Sequence, residues 1–259
     1  MFKISIITVC FNSEKTIQDT INSVHSQDYK NIEYIIIDGN SIDKTNSIIQ
    51  KNISKIDKYI SEKDLGLYDA INKGISLSTG DIIGILNSDD TFTTSTVVSN
   101  IAKHFNNFKV DLIFADIVFI DNNYKTKRVY SSKYWTPSLL KYGFMPAHPS
   151  FYCKKDIYTN YGNYEINYKI AADFEFIARL FNKQNKILYL YVPDIFVQMK
   201  IGGLSTKGIK SKLIIISEIM KACKANGIKT TYLLLYSKYI IKFILHINYT
   251  FSIFKNGKK

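Results

Sequence analysis

Along the first 115 residues, short unbroken apolar runs alternate with stretches whose apolar positions recur three and four apart. Lys3–Val9 is a β-branched run that reads as a buried strand, and Ile17, Ile21 and Val24 then follow helical spacing. Ile32–Ile37 is a second strand-like run, closed by the turn-forming Asp38-Gly39-Asn40-Ser41. Tyr59-Ile60-Ser61 is a weaker third run, and a helix is expected around Tyr68–Leu77. Ile82–Leu86 is a fourth and leads straight into Asn87-Ser88-Asp89-Asp90. Val97, Ile101 and Phe105 predict another helix, and Leu112–Ile120 another strand. Continuous apolar strands separated by amphipathic helices predict an α/β fold with a mostly parallel sheet covered on both faces.

The second half is less regular. Val118–Tyr130, with Asn122-Asn123 between its runs, reads as a hairpin, and Ile187–Val192 as a strand. Phe174, Ile177, Ala178 and Phe181 keep helical spacing behind Ala171-Ala172-Asp173. After Gly202-Gly203, Ile209–Lys224 and Thr231–Ile247 look helical, so the chain is divided into a main domain, 1–205, and a C-terminal helical segment, 206–259.

Charge adds something the pattern does not. Of a net +12, the segment from Ile201 onward contributes +10, from eleven lysines against the single acid Glu218. This segment has no arginine, and its lysines sit among Ile, Leu, Tyr and Phe, which favours an anionic membrane surface over nucleic acid. Lys238, Lys242 and His246 fall four apart as one basic stripe; the lysines interrupt the apolar run, so a peripheral helix is expected rather than a span. After Met1-Phe2-Lys3 the apolar run is short, so no secretory signal is expected. The isolated cysteines Cys10, Cys153 and Cys223 predict neither a disulfide framework nor a structural zinc site, as suits a cytoplasmic location on the inner membrane face.

In an open parallel sheet, ligands bind beyond the carboxyl ends of the strands. Those ends here are Thr8-Val9-Cys10-Phe11-Asn12, Asp38-Gly39, Glu62-Lys63-Asp64 and Asn87-Ser88-Asp89-Asp90. Adjacent carboxylates are hard oxygen ligands suited to Mg²⁺ or Mn²⁺, which can bridge them to a diphosphate. No GxGxxG follows the first strand and no GxxxxGK[ST] occurs, which argues against dinucleotide redox chemistry and P-loop hydrolysis.

Taken together, five blocks carry a resemblance: Ser5–Asn12, Ile36–Thr45, Ser61–Gly74, Thr79-Gly80-Asp81 and Leu86–Asp90. In order and spacing they resemble inverting family 2 glycosyltransferases of the GT-A fold, in the branch that builds O-antigen, capsule and related bacterial surface polysaccharides. The match is tight to about Asp90 and looser to about residue 205. The resemblance implies that Thr8, Val9 and Phe11 line a nucleotide base pocket. It implies that Asp38 accepts a base N–H, most often from uracil, and that Asp64 lies beside the nucleotide. Asp89 would meet the ribose or metal shell, and Asp90 would ligate the Mn²⁺ or Mg²⁺ holding the diphosphate. The family often has aspartate where this chain has Asn87.

Inverting transfer also needs a carboxylate that takes the acceptor proton. The resemblance points to Asp173, although Ala172 replaces a frequent glutamate. Glu175, two positions on, is the competitor, and His148 is a candidate for touching the acceptor or the leaving phosphate. The expected partners are a nucleotide-sugar donor and a polyprenyl-diphosphate-linked glycan. A sugar-nucleotide nucleotidyltransferase is disfavoured because Phe11-Asn12-Ser13-Glu14 stands where a basic Gly-rich loop would be. A non-catalytic membrane scaffold is disfavoured by Asp38, Asp89, Asp90 and Asp173 all being present.

Overall fold

The computed structural model describes residues 1–121, 123–201 and 208–239, with side chains of 208–210 not described. Strand β1 (Ile4–Cys10) lies between β2 (Ile32–Asp38) and β4 (Ile82–Ile85), and β3 (Lys58–Ser61) flanks β2, all in parallel. The sheet is mixed beyond β4 and continues through β8 (Tyr152–Lys154), β6 (Leu112–Ile120), β9 (Tyr189–Lys200) and β5 (Asp90–Phe92). β6 and β9 run parallel, and β7 (Thr126–Tyr130) forms a hairpin with β6 as expected.

Both faces of the sheet are covered, as unbroken apolar strands require. One face packs on α1 (Ile17–His25), α2 (Thr45–Lys51) and α4 (Val97–Asn107), burying Ile17, Ile21, Ile49 and Ile101 against Ile4, Ile6 and Ile36. The other packs on α3 (Leu67–Leu77), α5 (Lys155–Tyr161), α6 (Ala172–Leu180) and α7 (Gly208–Ala225), against Ile7, Ile35, Ile37 and Ile83. Each fully buried isoleucine contributes roughly 1.5–3 kcal/mol relative to exposure, so these stripes dominate the fold's stability.

Three features depart from the sequence reading. β9 does not stop at Val192; it passes Pro193 through a bulge, because Phe114 pairs with Tyr191 while Asp116 pairs with Ile195. Proline cannot donate to the ladder, and the bulge removes that requirement. Strands β5 and β8 have three residues each and carry too little pattern to read from sequence. Gly84, facing Tyr152 across β4 and β8, has no room for a side chain: a Cβ there would lie 1.9 Å from the Tyr152 ring.

The segment after residue 205 joins the main core as far as it is described. Ile216, Ile219, Ala222 and Cys223 of α7 are buried, as is Leu235 of the short helix over 232–239. Lys238 is only 5% exposed and sits over the Tyr239 ring, so it does not lie on a solvent stripe. Lys242 and His246, the rest of the expected stripe, lie outside the described residues. No described helix is long and apolar enough to cross a membrane.

Candidate active site

The order β3-β2-β1-β4 places a switch point between β1 and β4, where a crevice opens at the strands' carboxyl ends. Parallel register sets Cys10, Asp38 and Ser61 side by side across β1, β2 and β3. The loops beyond are laced by hydrogen bonds. Asn12 takes a left-handed φ of 51°, donates its N–H to Ser41 Oγ at 2.8 Å and accepts from the Ile42 N–H at 3.0 Å. Ser13 and Ser88 hydroxyls meet at 2.8 Å, tying the end of β1 to the acidic turn after β4.

On one side of this crevice Phe11 is exposed (62%), unlike the buried Thr8 and Val9 behind it. A large ring left in water at a strand end is not core and is open to contact. Beside it, Gly39 leaves space that a Cβ would fill: that atom would lie 2.4 Å from Asp64 Oδ2 and 3.4 Å from the Phe11 ring. Phe11, Gly39 and Asp64 are thus brought together from three strand ends. Thr8 is fully buried and accepts the Tyr34 hydroxyl at 3.2 Å, so it supports the pocket from beneath.

Asp38 differs from its expected part. It is fully buried, and its carboxylate accepts the Ser41 N–H at 3.1 Å, the Ser41 hydroxyl, the Ser61 hydroxyl at 2.6 Å and the Cys10 thiol at 3.6 Å. Four donors occupy about all the acceptor positions of a carboxylate. Asp38 therefore organises the loops around the pocket, and accepting a base N–H requires one serine hydroxyl to turn away.

Across the crevice, the turn Asn87–Asp90 delivers two carboxylates. Asp90 is fully buried; Oδ2 accepts the Asn87 amide at 3.3 Å, while Oδ1 has no partner among the described residues. Burial and the neighbouring Asp89 charge both push its carboxyl well above the usual range. Burial raises Asp89 as well, and Lys200, arriving from the end of β9, pulls it partly back. An orphaned buried carboxylate oxygen beside a second carboxylate is a donor set that would fit a divalent cation. No cluster of three acidic, histidine or cysteine ligands occurs among the described residues.

Asp173 lies in the first turn of α6, where its Oδ1 accepts the Phe174 N–H at 2.8 Å and lies 3.4 Å from the Tyr68 hydroxyl. Both of these contacts fall on Oδ1. Burial raises its carboxyl above the ordinary range, and His148, the Phe174 N–H and Tyr68 each pull it partway back. His148 is half-buried, pairs with the Tyr164 hydroxyl at 2.9 Å, and is held below the ordinary histidine range by burial against the pull of Asp173. Stacked Tyr68 and Tyr164, with centroids 5.9 Å apart, complete this polar pair of contacts.

Glu175 does not join them. Two positions apart on a helix point to opposite faces, and its buried carboxylate is taken by Arg179 at 2.8 and 3.2 Å and by the Asn226 amide at 3.3 Å. It is a structural ion pair fastening α6 to the end of α7, which corrects its candidacy for the acceptor. Sequence reading assigned no part to Tyr68, Tyr164 or Lys200. Tyr68 sits inside a recognisable block, whereas the approach of Lys200 to Asp89 has no local signal.

The sequence profile of glycosyl transferase family 2 matches residues 5–166. The chain belongs to glycosyl transferase family 2. It is 29% identical over 222 residues, 85% of this chain and 86% of the other, to the Escherichia coli UDP-Glc:alpha-D-GlcNAc-diphosphoundecaprenol beta-1,3-glucosyltransferase WfaP. It is 23% identical over 206 residues, 78% of each chain, to a PGL/p-HBAD biosynthesis glycosyltransferase of Mycobacterium bovis. Among solved structures, Staphylococcus aureus TarS 1-349 in complex with UDP-GlcNAc superposes with a TM-score of 0.68 at 17% identity, covering 85% of this chain but just under two thirds, 66%, of that one. A Pyrobaculum calidifontis mannosyltransferase in complex with GDP-Man and Mn²⁺ superposes at 0.63 and 16% identity, covering 92% of this chain and 69% of that one. This family 2 glycosyltransferase therefore has the GT-A fold, and its homologues act in polysaccharide or lipid-linked glycan biosynthesis.

Proposed function

We propose that this glycosyltransferase moves a sugar, with inversion, from a UDP-sugar onto a hydroxyl of a diphosphoprenol-linked glycan during surface-polysaccharide assembly. The observation that carries the reading is Oδ1 of fully buried Asp90, which lacks a partner among the described residues and lies beside Asp89, as a cation site would require. The base would stack on Phe11 beside Gly39 and Asp64. Asp90, with Asp89, would hold Mn²⁺ or Mg²⁺, which as a Lewis acid neutralises the departing diphosphate. Asp173 Oδ2 takes the proton of the acceptor hydroxyl as that oxygen bonds to the anomeric carbon. The carbon–oxygen bond to the diphosphate breaks at the same time, and the leaving group departs with the electron pair. The Escherichia coli relative's named donor and acceptor support the UDP-sugar and the lipid-linked acceptor.

The test is incubation of purified protein and Mn²⁺ with a panel of sugar nucleotides and a GlcNAc-diphosphoprenol acceptor, read by mass spectrometry. Transfer from a UDP-sugar is expected. Binding of no nucleoside diphosphate in calorimetry would instead favour a scaffold.

We also assign a peripheral contact with the inner membrane face to the C-terminal segment. Exposed Leu213, Tyr232, Leu233 and Tyr236 support this, set among lysines that suit anionic headgroups. Removing residues 206–259 would strip buried α7 residues from the core, so removal of 240–259 is the appropriate variant. Loss of anionic-vesicle binding is expected, and undiminished binding in that variant and in Leu233→Ser would refute the contact.

A further inference from the structure

Between the loop before α3 and the segment before α6 lies a groove of about 190 Å³ whose lining includes Leu65, Leu67, Tyr68, Ile166, Tyr168 and Lys169. Three of these apolar side chains face water: Leu65 is 80% exposed, Leu67 40% and Ile166 47%. A single exposed leucine needs no explanation, but three around one cavity beside the catalytic apparatus mark a binding surface. The groove adjoins the base through Tyr68, which lines it and whose hydroxyl reaches both the Ile170 carbonyl at 2.5 Å and Asp173 Oδ1 at 3.4 Å. Its rim carries both signs: burial and then the carboxylates of Glu175, Glu165 and Glu218 push the Tyr168 hydroxyl up. Lys169 lines it, and exposed Lys221 extends from α7 over the Tyr168 ring, 4.5 Å from its centroid. The acid in the lining, Asp69, is held by the Leu65 N–H at 3.0 Å and by Lys73 at 3.5 Å.

The geometry points to this groove as the subsite for the lipid side of the acceptor: the first prenyl units lie on Leu65, Leu67 and Ile166, and the diphosphate meets Lys169 and Lys221. The inference rests on the proposed lipid-linked acceptor and locates it. Exposed apolar side chains, two lysines and, through Tyr68, the proposed proton acceptor offer one contact each for the prenyl, diphosphate and sugar parts of such a molecule. An uncharged aglycone would leave the lysines unused, and a soluble glycan would leave the leucines unused.

The experiment is calorimetric binding, without any donor, of a short-chain GlcNAc-diphosphoprenol in detergent micelles to the full chain and to Leu65→Asp, Ile166→Asp and Lys169→Glu. The mutated side chains are exposed, and unfolding temperatures are compared to check that each variant folds. Loss of apolar contact should weaken binding about tenfold or more in the first two variants. Lys169→Glu should weaken binding of the diphosphoprenol but not of a GlcNAc prenyl ether lacking phosphate. Manganese-dependent UDP binding should not change. Equal affinity of wild type and all variants, or no binding by wild type, would overturn the subsite. Equal weakening on plain phosphatidylglycerol vesicles would also overturn it, by making the groove a general membrane contact. Should wild type bind the probe through the groove yet transfer no sugar from any donor, the proposed reaction fails while the groove stands. Normal transfer with unaltered binding in the variants means the reverse.

Discussion

Of the two carboxylate oxygens of Asp173, Oδ1 is occupied by the Phe174 N–H, with the Tyr68 hydroxyl near, and Oδ2 is the one proposed to take a proton. Asp173→Asn keeps the shape but not the basicity, so transfer should fall by about 10²–10⁴-fold while UDP binding persists. Near-normal turnover would end the assignment. Because burial raises the Asp173 carboxyl, more base is protonated at mildly acidic pH, and the acid limb of kcat should lie above the ordinary aspartate range. The Tyr68 hydroxyl favours the charged carboxylate; Tyr68→Phe should therefore move that limb to higher pH, a shift that a packing defect alone would not produce. Asp90 presents the opposite problem, a buried carboxyl whose charged form is disfavoured by burial and by Asp89 and helped, among the described residues, by the Asn87 amide. Asp90→Asn should raise Tm in the absence of cation, on the scale of about 2–4 °C per kcal/mol for a domain of this size, and abolish any Mn²⁺-induced rise. A lowered Tm without cation would show that the carboxylate stabilises the fold.

At the scale of elements, the proposed base is positioned by a helix from the far end of the chain. Glu218 of α7 accepts the N–H groups of Lys169, Ile170 and Ala171 at 2.7, 3.0 and 2.9 Å, immediately before α6. Of these only Ala171, the N-cap, belongs to the helix start; Lys169 and Ile170 precede it, so Glu218 fastens the loop that leads into α6. Glu218→Ala should cost about 1–3 kcal/mol and lower kcat more than it alters UDP binding, measurable by urea unfolding alongside kinetics. Unchanged kcat would separate α7 from the reaction. The strand and helix pattern of the first half was legible because isoleucine-rich runs and three-four spacing are strong local signals. β5 and β8 were not, since three residues have no periodicity and pair only because β4, β6 and β9 present open edges. Pro193 disguised the rest of β9, whose continuation depends on the bulge opposite β6.

For the whole molecule, the crevice divides into a proposed nucleotide side built by β1, β2 and β3 and an acidic turn built by β4 and β5, while the proposed acceptor side is supplied by α3, α6 and the loop around His148. Division into 1–205 and a helical appendage followed the shift in charge, but α7 shares a core with α3 and α6. A chain ending at residue 205 should be insoluble or unfolded, whereas one ending at 239 should keep the cooperative unfolding of the full chain; circular dichroism on heating distinguishes them.

By itself, the sequence determined the α/β alternation, the family, and the acids at the strand ends, because each is written in residues close together along the chain. Tertiary structure alone decided which acids are available for chemistry. Asp38, Asp90, Asp173 and Glu175 are the same kind of group in sequence. Asp38 is saturated by two serines and a thiol, and Glu175 is neutralised by Arg179. Asp90 retains an oxygen without a partner among the described residues, and the Phe174 and Tyr68 contacts of Asp173 both fall on Oδ1. Burial and the partners brought by distant strands and helices set that difference, and neither is encoded locally.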